Sequence, residues 1–76
     1  MKPTSQQSSA FFAHESLPGV LFEHNDAVLV VSGEHAGQTG ALISIEELGQ
    51  DPVYLVELSS GTDAYIAQSQ LKVHEA

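Results

Sequence analysis

From Leu17 onward the chain is cut into short apolar runs. None is longer than the five residues of Ala27-Val28-Leu29-Val30-Val31, and most end at Gly, Pro, Asn, Asp or Ser. That punctuation leaves no room for the ten or more periodic residues an amphipathic helix needs, but it suits strands of about 4 to 8 residues. The runs are Val20–Glu23, Ala27–Val31, Ala41–Glu46, Val53–Leu58, Ala64–Ala67 and Leu71–Val73. Between them lie turn-forming segments: His24-Asn25-Asp26, the three-glycine loop Ser32–Gly40, Leu48–Pro52, Ser59–Asp63 and Gln68–Gln70. A helix over Ser44–Gly49 has good helix formers in Glu46-Glu47-Leu48, but the segment is short and bracketed by Gly40 and Gly49. Five or six short antiparallel strands predict an all-β domain, a small barrel or sandwich. Closure into a barrel removes the edges that so apolar a sheet would otherwise leave open.

With 76 residues there is room for one domain, and a chain this size buries only about 60% of its unfolded surface. Residues 1–16 read as a flexible tail, because six of the first ten are Ser, Thr or Gln and such a stretch cannot offset its ordering entropy. Phe11 and Phe12 are its exceptions, and a short helix from Phe11 to Leu17 is marginal at that length. Residues 17–76 form the expected barrel. Strand alternation turns Val28 and Val30 inward and Leu29 and Val31 outward; likewise Tyr54, Val56 and Leu58 share one face and Val53, Leu55 and Glu57 the other. An outer cluster of Leu29, Val31, Val53 and Leu55 needs cover, either from a tail carrying Phe11, Phe12 and Leu17 or from a partner. Tyr54 and Tyr65 read as core or rim packing.

The charge balance excludes more than it selects. Lys and Arg number 2 against 10 Asp and Glu, a formal net charge of −8. This argues against direct binding to nucleic acid or to anionic membranes. The absence of cysteine removes thiolate metal sites and thiol nucleophiles. A membrane span needs about 20 apolar residues, and no secretory pattern opens the chain, so a cytoplasmic location is expected. Histidines 14, 24, 35 and 74 stand 10, 11 and 39 apart, without the close spacing of zinc ligands. Glu23-His24 and Glu34-His35 set a carboxylate beside an imidazole, but solvated turn histidines are the plainer reading. Ser59-Ser60-Gly61 is a turn rather than a nucleophile elbow, and Glu46-Glu47 in a strand point to opposite faces. No catalytic residue, metal site or cofactor is expected.

The stretch Asp26-Ala27-Val28-Leu29-Val30-Val31-Ser32-Gly33-Glu34-His35-Ala36-Gly37-Gln38-Thr39-Gly40-Ala41-Leu42-Ile43-Ser44-Ile45 resembles the KOW motif. That motif occurs in a large-subunit ribosomal protein family and in NusG-type transcription elongation factors. The segment Val56–Gly61, with Ile66 and Leu71, resembles the second hairpin and closing strand of such domains. The resemblance covers about residues 19 to 74 and implies an SH3-like barrel with an RNA- or ribosome-associated role. Gly33, Gly37, Gly40 and Gly61 then read as structural loop positions: Gly33 and Gly37 where positive φ is needed, Gly40 where a backbone approaches closely or a bulge forms. RNA-binding KOW loops carry several Lys or Arg. Here those places hold Glu34, His35, Ala36, Gln38 and Ala41. No cation lies between Lys2 and Lys72, so at most about two phosphates can be neutralised. The fold is therefore expected to carry over without direct RNA binding.

The sequence thus points to a non-catalytic module that recognises a protein partner, a basic one by charge, through an apolar barrel surface rimmed by acids. A homodimer is the other apolar-surface reading, and an RNA-binding or ribosome-associated accessory KOW protein is the alternative function. The candidate binding residues are Leu29, Val31, Glu34, His35 and Leu55.

Overall fold

A computed structural model describes residues 1–74, so the last two residues of the expected 17–76 domain lie outside the described residues. The described residues form a small all-β domain with one short helix. Its elements in order are α1 (Ser5–Phe12), β1 (Ala27–Val30), β2 (Thr39–Glu47), β3 (Val53–Leu58), β4 (Asp63–Ala67), a 3₁₀ turn (Gln68–Gln70) and β5 (Leu71–Val73). The strands form a single antiparallel five-stranded sheet in the order β4-β3-β2-β1-β5. Among the described residues no helix is long and apolar enough to cross a membrane.

Alternation along each strand sorts the core. Val28 and Val30 of β1 are buried, as are Tyr54, Val56 and Leu58 of β3, while Val53 and Leu55 are half-buried on the opposite face and Glu57 is exposed. The nine-residue β2 is the element that folds the sheet over. It pairs with β1 through Thr39–Ala41 and with β3 along its whole length. Its register slips between Leu42 and Ser44 and again between Ile45 and Glu47. Each slip inserts one residue, which bends the strand and increases its twist. As a result Leu42 and Ile45, three positions apart, both point into the core.

The N-terminal segment departs from the expected tail. Ser5–Phe12 is helical, not 11–17, and begins with a capping box: Thr4 Oγ1 accepts from the Gln7 N–H at 3.1 Å, and Gln7 Oε1 accepts from the Thr4 N–H at 2.8 Å. An eight-residue helix is marginal alone. Here its packing holds it, with Phe11 only 2% exposed and its ring 6.1 Å from that of Tyr54. Polar composition concealed this, because one buried aromatic supplies the apolar area that the rest of the helix lacks. The cover also falls elsewhere than expected. Phe11 packs in the core against Tyr54, while on the outer wall Leu29, Val53 and Leu55 are half-buried and Val31 is exposed.

A second difference concerns Val20–Glu23, which is not a strand. The Leu21 N–H donates to Gln68 Oε1 at 3.0 Å and Gln68 Nε2 donates to the Gly19 carbonyl at 3.1 Å. One side chain thus satisfies the backbone groups that a neighbouring strand would have paired, while Phe22 drops into the core beside Tyr54. Elsewhere β3 and β5 coincide with the expected runs, β4 starts one residue earlier, β1 ends one residue earlier, and β2 extends to Thr39 and Glu47.

Candidate functional site

Hairpin β3–β4 presents its outer wall to solvent as a ladder of directly opposed residues: Val53 with Ala67, Leu55 with Tyr65, and Glu57 with Asp63. Tyr65 is 70% exposed although it lies within a strand. Its neighbour Ile66 faces the core, so alternation forces Tyr65 outward, directly across from Leu55. At the next rung two carboxylates face each other. Like charges directly opposite are destabilising, and among the described residues neither Glu57 nor Asp63 has a cationic partner.

Tyr65 also forms one wall of a slot. A cavity of about 210 Å³ is lined by Tyr65 and Ile66 of β4, by Ser32, Glu34 and His35 of the loop after β1, and by Val30 and Gln70. The loop after β1 is held in place by main-chain bonds: Gly37 N–H to the Val30 carbonyl at 2.8 Å, Val30 N–H to Gln38 at 2.9 Å, and Val31 N–H to the Gln70 carbonyl at 2.8 Å. Gly33 has φ +87°, a conformation that favours glycine, and lies against the end of the Gln70 side chain. Gly37 and Gly61 also have positive φ. Gly40 is the close approach: a Cβ there would lie 2.6 Å from the Glu57 carbonyl oxygen and 2.8 Å from Val56 Cγ1.

The far end of β4 is fixed by two side chains. Asp51 accepts from the Ser69 hydroxyl at 2.7 Å and from the Ser69 N–H at 2.9 Å, and these bonds hold its carboxyl below the ordinary value. Tyr54 donates its hydroxyl to Gln68 Oε1. Burial pushes the Tyr54 phenol up to about 12, against the smaller opposing effect of main-chain hydrogen bonding. Together these anchor the 3₁₀ turn, whose last residue, Gln70, lines the slot.

The five expected binding residues do not form one patch. Glu34 and His35 lie on the slot, with Glu34 almost fully in solvent and His35 Nε2 3.6 Å from it. Leu55 lies directly opposite Tyr65. Val31 is 47% exposed, but its neighbours Val30 and Ser32, rather than Val31 itself, line the slot. Leu29 is half-buried opposite Thr39 and Lys72. Because Leu55 lies opposite Ser44, about 16 Å of β2 separates it from Leu29 at the ordinary strand rise. Tyr65, Glu57 and Asp63 were missed as a set. The spacing of Glu57 and Asp63 across the Ser59-Ser60-Gly61-Thr62 turn was the signal that could have revealed it.

Among the described residues no group of three or more His, Asp or Glu side chains is placed to hold a metal ion. His14 Nδ1 instead meets Glu23 Oε2 at 2.8 Å, and His24 Nδ1 lies 2.8 Å from the Ile43 carbonyl. No protein-family model, curated protein or solved structure matches the chain.

Proposed function

We propose that the chain is a non-catalytic, SH3-like binding module of the KOW type, acting in the cytoplasm, that recognises a basic protein partner on the outer wall of hairpin β3–β4 and the adjoining slot. The strand order β4-β3-β2-β1-β5, with a 3₁₀ turn before the last strand, supports the barrel reading. The observation that carries the function is the unneutralised Glu57–Asp63 rung beside the exposed Tyr65–Leu55 rung. The sheet tolerates a like-charge pair that a bound Lys or Arg would turn into attraction, next to an aromatic ring on which the same cation can sit. The net charge of −8 extends that attraction to long range and opposes polyanions.

The test is an amide-shift titration at low salt with a lysine-rich peptide and, separately, with single-stranded RNA. The peptide is expected to give saturable shifts at Glu34, Leu55, Glu57, Asp63 and Tyr65 that weaken as salt rises, and the RNA none. Saturable RNA shifts centred on Gly33–Gly40 would place the RNA-associated reading first.

A further inference from the structure

We infer that the partner enters as an extended basic segment that adds to the sheet as a strand along the free edge of β4. This rests on the proposed reading of the same surface and specifies how that surface binds. Among the described residues β4 ends the strand order and pairs only with β3. The Leu58 N–H donates to the Thr62 carbonyl at 2.9 Å and the Gln68 N–H to the Pro52 carbonyl at 2.7 Å, which fixes the phase of the ladder between them. In an antiparallel pair hydrogen-bonded and non-bonded rungs alternate. Val56–Ala64 and Tyr54–Ile66 are therefore the bonded rungs, and the N–H and C=O groups of Asp63 and Tyr65 turn away from β3, toward the open edge.

That edge is half of the slot described above. A chain laid along it runs between β4 and the Ser32–His35 loop, its own amides facing Asp63 and Tyr65 and its side chains passing Glu34, His35 and the Tyr65 ring. Charge selects the occupant. A second copy of this chain brings another net charge of −8, and a charged residue on an edge is a common guard against such self-pairing. Asp63 on the edge and Glu57 behind it repel a copy and attract a strand bearing lysines. Main-chain bonds then supply affinity, and the acids choose the partner.

The experiment uses a short end-blocked peptide of alternating lysine and valine and two versions N-methylated on only the lysine or only the valine amides. In an added strand only one of these two sets of amides faces β4. The unmethylated peptide is expected to protect the Asp63 and Tyr65 amides from hydrogen exchange, and at least one methylated version to lose about tenfold or more in affinity. Equal affinity of all three, or unprotected Asp63 and Tyr65 amides in the saturated complex, overturns strand addition and leaves the basic-partner reading standing. Absence of binding by any of the three overturns both.

Discussion

Two residues show how single side chains set limits that composition conceals. Gly40 has no unusual φ; its constraint is contact, because a methyl group would push β2 from β3 at the Glu57 carbonyl. Gly40→Ala is expected to cost about 1–3 kcal/mol, the usual range for overpacking, read as a lower urea midpoint at unchanged slope. Tyr54 has a folded-state phenol pushed up to about 12 from 10.0, so the folded chain favours the neutral form. Its contribution is fully present below pH 10 and is lost as pH rises from there toward 12. Stability should fall over that alkaline window in denaturant titrations, and Tyr54→Phe should remove much of the fall.

Helix α1 and hairpin β3–β4 depend on opposite kinds of interaction. The helix is held because Phe11 is packed against the rings of Tyr54 and His24. Phe11→Ala should destabilise the whole domain by about 3–5 kcal/mol, seen in thermal unfolding as one cooperative transition at lower temperature. The hairpin carries a local cost instead. Glu57→Gln should raise stability by about 0.2–1 kcal/mol by relieving the Glu57–Asp63 repulsion, yet weaken binding of a lysine-rich peptide. A substitution that stabilises the fold and impairs the contact separates function from scaffold. If peptide affinity were unchanged, the rung would have no part in recognition.

Over the whole molecule the excess of acids works both ways. Raising ionic strength from about 0.01 M to about 0.15 M shortens the screening length from about 30 Å to about 8 Å. Self-repulsion at a net charge of −8 is then relieved, so calorimetry should show a higher Tm. Over the same change, peptide affinity should decline, mainly through a slower on-rate. The two trends share one cause, and an affinity indifferent to salt would point to an apolar contact in place of an electrostatic one.

Local patterning located all five strands, and misplaced only Val20–Glu23, where no strand forms. β-branched runs closed by turn residues placed β3 at Val53–Leu58 and β5 at Leu71–Val73, and alternation assigned Val28 and Val30, and Tyr54, Val56 and Leu58, to the interior. Glycine positions were legible for the same local reason, since positive φ and close approach exclude other side chains. The charge balance, a sum over residues, was fixed without any fold. Only the tertiary structure decided the rest, because each remaining feature depends on residues far apart in the chain. Phe11 finds Tyr54 across 43 positions, Gln68 replaces a strand partner for Leu21 across 47, and the register of β2 divides Leu29 from Leu55. The same long-range pairing sets Tyr65 at the slot with Glu34 and His35. Sequence spacing carries no distance information at that range, and packing settles it.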